Sequence, residues 1–351
     1  MDKLRIAFTS ALIRPDGSPA FRGYDISPLE SDRNVEIKVL RPAGIINADE
    51  LADVDVLITS TGETKIKSGS LTRSGRLALI ARAGAGYDDV DISACTANHV
   101  AVAIASEAVR RPTAVGALAL MLAVTTRLIP KHHITLKGPK DWARLSEYQS
   151  IDLRGKTLGL VGLGSIGSEV ARLVSPLGMR IIAHDPAAKP EAAAALGAQL
   201  IAFEALLKEA DIVSLHVPLS DATRHLMDAR HLGLLKPTAF LINTSRGGVV
   251  DQQALTECLR AKRIAGAGLD VFEKEPPDED DPLLKLDNVV LSAHALNWTD
   301  NLASKLAETN IKAALAVAEG REPEGVVNRE VVKSKIWRDK LSRLRAIYTK
   351  R

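Results

Sequence analysis

Residues 157–185, TLGLVGLGSIGSEVARLVSPLGMRIIAHD, constrain the fold more than any other stretch. An apolar strand, Thr157–Val161, runs into a glycine turn, a helix over Ser165–Leu177 and a second strand ending on Asp185. Two strands joined by a helix lie parallel, because parallel neighbours need a long crossover. The turn itself reads G-x-G-x-x-G. Gly162 permits the tight turn, Gly164 lets backbone approach a pyrophosphate, and Gly167 lets helix pack closely on strand. The helix N-terminus offers unpaired N–H groups and positive dipole to phosphate. Asp185, about twenty residues beyond the first glycine, can accept both ribose hydroxyls and would repel a 2′-phosphate, which selects NAD over NADP. A plain structural turn, with Asp185 merely capping the next segment, is the alternative.

The same alternation fills the chain. LRIAFT, VEIKVL, VDVLITS, LALIARAG and VAVAIA precede the glycine turn; DIVSLHVP, AFLINTS, AGAGLDV and NVVLSA follow it, with helical patterns between. Strands alternating with helices give an α/β class with parallel sheets. The strands are too many for one sheet, and the polar stretch 131–156 resets the pattern. At 351 residues there is room for two domains. A helix through about Gly320 follows the last strand, so the first domain regains a closing helix from the C-terminus. We expect a discontinuous domain, 1–106 plus 300–330, enclosing a second, 107–299, with 331–351 as a basic extension.

Composition narrows the function. Lys and Arg number 46 against 43 acidic residues, and the small basic excess gathers in the last twenty residues, too little for a nucleic-acid partner. Cys95 and Cys258 lack metal or disulfide spacing and fit buried packing in a reducing compartment. MDKLRIAFTSALIR reads as a first strand rather than a leader, and the longest apolar run, 115–124, is half a membrane span, so the expectation is a soluble, cytoplasmic protein with no membrane partner. The helix over 110–128 is apolar nearly all round, which suits either an interdomain core helix or a homodimer interface.

Three more strand ends carry chemistry-bearing residues: INTSRGGVVD with Arg246, GLDVFEKEP with Asp270 and Glu275, and VVLSAH with His294. Ligands sit at the C-terminal ends of strands in open α/β sheets. Arg246 could hold a carboxylate bidentately and polarise a 2-carbonyl. His294 could exchange a hydroxyl proton, and Glu275 could fix its tautomer. Singly, each also reads as an ordinary surface or structural group.

Together, RAGAGYDDVD (82–91), LRGKTLGLVGLGSIG (153–167), HVPLSDATRHLM (216–227), LINTSRGGVVD (241–251), GLDVFEKEP (268–276), AH (293–294) and GVVN (325–328) resemble the D-isomer-specific 2-hydroxyacid dehydrogenases, over about residues 50–328. The resemblance implies a Rossmann NAD-binding domain inserted in a flavodoxin-like substrate domain, both doubly wound. It implies hydride transfer between NAD and C2 of a small D-2-hydroxy or 2-oxo acid, in a cleft between domains of a homodimer. Arg246, Glu275 and His294 are the implied catalytic group. Asp270 would hold the nicotinamide carboxamide. Ser165 and Ile166 would lie over the pyrophosphate, His216 and Pro218 beside the adenosine, and Thr244 with the Arg246 backbone on the nicotinamide side; Thr223 would also bind the cofactor. Ala85 and Gly86 would offer backbone N–H groups to the substrate carboxylate.

Four departures set this chain apart from the family's pattern, three of them bearing on the substrate. Ala293 replaces the usual proline, and ALNWTD follows His294, putting Trp298 either at the substrate mouth or in helix-start packing. ITSTGETK (58–65) lacks an arginine for a phosphate, against 3-phosphoglycerate as substrate. Arg110 and Arg111 either read a second acidic group or sit on the surface. The basic tail is either a solvated helix or packs Trp337 and Leu341 on a partner subunit. An NAD(H)-sensing binding protein and a phosphite- or formate-type dehydrogenase are the rival functions, and the Glu275–His294 proton pair argues against formate.

Overall fold

The computed structural model describes residues 3–41, 44–60, 62 and 64–349. Thr61 and Glu63, within the 58–65 stretch, lie outside the described residues. Two compact units emerge, Met1–Val109 with Trp298–Arg351, and Arg110–Asn297.

The first unit is a five-stranded parallel sheet of β1 (Leu4–Thr9), β2 (Val35–Leu40), β3 (Val56–Ser60), β4 (Leu79–Ala83) and β5 (Ala101–Ile104), in the order β2-β1-β3-β4-β5. That is the flavodoxin-like doubly wound order. β4 is buried throughout, and β3 except at its last residue, as strands covered on both faces must be. The helix Leu302–Ala318 returns to cover the sheet, its Ala307, Ile311, Ala314 and Val317 sharing a core with Phe8, Ile58 and Ala81. GVVN then explains itself. Asn328 is buried, accepts the Val102 N–H at 2.9 Å and donates to Val100 O at 2.9 Å. A Cβ on Gly325, which has φ +75°, would lie 2.3 Å from Ile104 O.

The C-terminal segment corrects both readings made of it. Residues from 331 onward belong to the first unit, and the helix Lys335–Tyr348 buries Trp337, Lys340, Leu341 and Leu344. The Trp337 indole N–H donates to Ala78 O at 2.9 Å, and Lys340 Nζ donates to the carbonyls of Leu77, Asn98 and His99 at 2.8–3.0 Å. Its apolar stripe is therefore core of its own unit, neither a solvated helix nor a surface awaiting a partner. Cys95 and Cys258 are buried free thiols.

The second unit holds β6 (Thr157–Val161), β7 (Arg180–His184), β8 (Ala198–Leu200), β9 (Ile212–Leu215), β10 (Phe240–Asn243), β11 (Gly266–Leu269) and β12 (Val289–Leu291). All pair in parallel, in the order β12-β11-β10-β9-β6-β7-β8. The winding reverses between β6 and β9, the switch point where open sheets bind ligands. The helix Ser106–Thr125 packs Ala114, Ala117, Leu120, Met121 and Val124 against Leu158, Leu160 and Ile242 of this sheet. It is long and apolar enough to span a membrane by composition, yet 61% of that window is buried in the protein. It is not buried on all faces, since Val115 and Leu122 are exposed.

Candidate active site

At the end of β6, two of the three glycines are demanded by the protein's own packing. A Cβ on Gly162 would lie 2.6 Å from His216 O, and one on Gly167 would lie 2.2 Å from Gly162 O. A Cβ on Gly164 would meet nothing within 4 Å. Gly164 therefore opens onto space at the N-terminus of the helix Ser165–Val174, which no side chain caps. Ser165 is exposed and Ile166 half-buried there. A helix start with unpaired N–H groups, a bare glycine and vacant room beside it suits a pyrophosphate.

Asp185 does two things at once. Its Oδ1 accepts the Ala187 N–H, and its Oδ2 accepts the Leu163 N–H of the glycine turn, both at 2.8 Å. It caps the following segment and also braces the turn, leaving further lone pairs on a half-buried carboxylate. His216 lies behind the glycines, its N–H on Val161 O at 2.7 Å and its Nε2 2.9 Å from Ser214 Oγ. Burial pushes its imidazole down to about 4, so it is neutral at physiological pH. Pro218 is exposed, and Thr223 closes the next turn by donating its hydroxyl to Pro218 O at 2.6 Å.

At the ends of β10, β11 and β12 the polar residues converge. Asn243 Oδ1 accepts the Ser245 N–H at 3.0 Å, and its Nδ2 donates to Arg246 O at 2.9 Å, fixing the loop that carries Arg246. A Cβ on Gly247 would fall 1.9 Å from the Phe272 carbonyl, so this loop lies directly on the chain leading to Glu275. Arg246 is half-buried, and its Nη1 donates to Ser245 O at 2.8 Å. The Thr244 hydroxyl is buried and has no partner among the described residues, an acceptor and donor left for a ligand.

Asp270 is buried and holds the backbone of the β12 end: its carbonyl accepts the His294 N–H at 2.7 Å, and Oδ1 accepts the Ala295 N–H at 3.1 Å. Burial pushes its carboxyl above the usual range, against hydrogen bonds from Ser292 and Ala295. So held, His294 adopts φ +53°, a left-handed conformation uncommon outside glycine. Its Nδ1 lies 2.7 Å from Glu275 Oε2, while Glu275 Oε1 accepts the Phe272 N–H at 3.0 Å. Burial raises the Glu275 carboxyl, but the bonds from His294 and Phe272 and the charges of His294 and Arg246 outweigh it and leave it below its ordinary value. An ionised Glu275 accepts Nδ1–H, which leaves Nε2 as the nitrogen able to exchange a proton with a ligand.

In the first unit, Ala85 and Gly86 form a half-buried turn after β4. Neither N–H has a partner among the described residues. Trp298 is 62% exposed and stands edge-on to Phe21, ring centroids 5.2 Å apart, which supplies the packing reading. In the second unit Arg110 is half-buried, and the exposed Arg111 reaches Glu169, buried at 9% exposure, at 2.7 Å. Asn243 and Gly247 escaped the sequence reading although both adjoin Arg246; the doubled glycine after the arginine was the available signal.

Residues 118–295 match the family model described as the NAD-binding domain of D-isomer specific 2-hydroxyacid dehydrogenases. A glyoxylate reductase of Thermococcus litoralis is 39% identical over 299 residues, 84% of this chain and 89% of that one. A D-3-phosphoglycerate dehydrogenase of Methanocaldococcus jannaschii is 37% identical over 313 residues, 86% of this chain and 58% of that one. The structure of D-lactate dehydrogenase from Aquifex aeolicus, complexed with NAD and lactic acid, superposes with a TM-score of 0.77 at 26% identity, covering 93% and 97% of the two chains. The chain belongs to the D-isomer-specific 2-hydroxyacid dehydrogenases, and is an NAD-dependent oxidoreductase of small hydroxy and oxo acids.

Proposed function

We propose that His294, Glu275 and Arg246 carry the interconversion of a D-2-hydroxy acid and its 2-oxo acid. The observation that supports this reading most is the 2.7 Å contact of His294 Nδ1 with Glu275, in the field of Arg246. NAD, held by the glycine turn and Asp185, would supply or accept the hydride at nicotinamide C4 when bound. His294 Nε2 gives a proton to the carbonyl oxygen in reduction and takes it from the hydroxyl in oxidation. Glu275 holds the ring in the tautomer with Nδ1–H and stabilises the imidazolium. Arg246 binds the substrate carboxylate and polarises the adjacent carbonyl.

Ala85 and Gly86 keep the role of carboxylate donors, and Thr244 and Asp270 that of groups meeting the nicotinamide side. Asp185 selects NAD over NADP by repelling a 2′-phosphate. The 58–65 stretch brings no arginine, which favours an unphosphorylated acid. Homodimeric assembly and a cytoplasmic location, with two buried free thiols, complete the reading.

NADH oxidation against glyoxylate, hydroxypyruvate and phosphohydroxypyruvate tests it. We expect turnover with the first two, and a loss of ~10²–10⁴-fold in His294→Ala with unchanged NADH affinity. Undiminished turnover in that variant would remove His294 from the mechanism. A wild-type protein that binds NADH yet reduces no 2-oxo acid would favour the sensing function instead.

A further inference from the structure

β4 carries an arginine in the middle of a sheet. Leu79, Ile80, Ala81 and Ala83 around it are the residues a doubly covered strand requires, yet the Arg82 side chain is 0% exposed. A guanidinium taken out of water is strongly unfavourable unless it is paired and hydrogen-bonded, and an apolar residue would serve the sheet as well. What Arg82 holds lies beyond the strand. Its Nη2 sits 2.6 and 2.7 Å from the two oxygens of Asp89, and its Nε donates to Gly86 O at 3.4 Å.

Asp89 in turn is a junction. Its Oδ2 accepts the Gly62 N–H at 3.2 Å, from the loop after β3, and its carbonyl accepts the Ile66 N–H at 2.9 Å. At the other end of the turn, Gly84 O accepts the Ala105 N–H at 2.9 Å. The turn 84–89 is thus pinned at Gly84, Gly86 and Asp89, while the two N–H groups of Ala85 and Gly86 are left without a partner among the described residues.

We propose that the buried Arg82–Asp89 pair is a positioning device for substrate: it fixes the peptide planes of the 84–89 turn so that the Ala85 and Gly86 N–H groups point together at the carboxylate of the 2-oxo acid. The proposal rests on the reading of that turn as the carboxylate donor. Arg82 acts through geometry rather than through its charge, which Asp89 neutralises. Splayed donors bind the carboxylate more weakly without touching proton or hydride transfer, so the defect falls on KM.

The experiment is steady-state reduction of glyoxylate by wild type, Arg82→Met, Arg82→Lys and the double variant Arg82→Met/Asp89→Asn, with NADH affinity measured alongside. We expect KM for the oxo acid to rise about tenfold or more in Arg82→Met, with kcat within about threefold and NADH affinity unchanged, and partial recovery in Arg82→Lys. Arg82→Met leaves Asp89 as a lone buried charge; should that variant fail to fold, the double variant, which removes both charges, is read by the same criterion. A folded variant with an unaltered KM, or one whose kcat falls as far as KM rises, overturns the proposal. A wild type inert toward every oxo acid overturns it together with the function on which it rests.

Discussion

The two units hold their polar groups at the same place, the C-terminal ends of parallel strands, by different means. In the second unit the backbone does it: Gly162, Gly167 and Gly247 stand where a Cβ would fall 1.9–2.6 Å from a backbone carbonyl of this same unit, and Asn243 fastens residues two and three positions away. In the first unit buried charge does it. Beyond the C-terminal end of β4, Arg82, not exposed at all, grips both oxygens of Asp89 at 2.6 and 2.7 Å. At the opposite, N-terminal edge of the sheet the same device recurs: Asp55, fully buried, accepts from Arg343 at 2.7 Å, and Lys340 reaches back to three carbonyls more than 200 residues earlier. A loop fixed by backbone approach must be written with glycine, and is visible in sequence. A loop fixed by a distant cation is written with a lysine or arginine that looks like any surface residue.

The largest test of this contrast is Trp337→Ala. The indole is 2% exposed and donates to Ala78 O, so truncation opens a cavity in the first unit's core and removes one of the two donors on that carbonyl, the Ala101 N–H remaining. We expect a loss of about 3–5 kcal/mol in urea unfolding, with NADH affinity unmoved. A loss under about 1 kcal/mol would return the C-terminal helix to the surface.

Next in size is Gly247→Ala. The added methyl meets the Phe272 carbonyl at 1.9 Å, and the Arg246 loop must shift away from Glu275. Turnover should fall about 10²-fold, roughly 2.7 kcal/mol, as displacement of a catalytic group by an ångström does. Stopped-flow measurement of the hydride step would show it directly; an unimpaired rate would mean that the close approach is packing alone.

The same contrast explains what the sequence revealed. Alternating strands and helices carried the α/β class, and the glycine spacing carried the nucleotide turn, because both depend on neighbours a few residues apart. His294, Glu275 and Arg246 were found through short strand-end motifs, yet only the fold brings Glu275 to 2.7 Å from His294. In the helix 335–348, Trp337 and Leu341 are legible as a packing stripe, but not the surface they pack on, because their partners, Ala78 among them, lie in the first hundred residues. Arg82 lies within RAGAGYDDVD but carries no signature separating a buried tie from a strand-end charge.

Lys340 sharpens the comparison through pH. Burial and the neighbouring Arg343 push its ammonium from 10.5 down to about 8. Between those values the unfolded chain binds more protons than the folded one, so this residue's contribution to stability increases as pH rises. Relative to Lys340→Met, wild type should gain on the order of 1–3 kcal/mol between pH 8 and 10.5, with the difference flat below that window. A flat difference across the whole range would show that the three carbonyls hold the ammonium charged.

The smallest expected effect discriminates most finely between buried and exposed charge. Arg111 pairs with Glu169 at 2.7 Å, as Arg82 pairs with Asp89 at 2.6 Å, but the Arg111 side chain is 61% exposed and that of Arg82 is not exposed at all. Water screens the exposed Arg111 guanidinium, and Arg172 still pairs with Glu169 at 3.2 Å when Arg111 is gone, so Arg111→Ala should cost under about 1 kcal/mol of stability. It should also leave KM for every oxo acid unchanged, including acids with a second carboxylate such as oxaloacetate. A KM for the dicarboxylic acid that rose selectively in Arg111→Ala would show that the guanidinium leaves Glu169 for substrate, and that exposed charge, too, is used for recognition in the second unit.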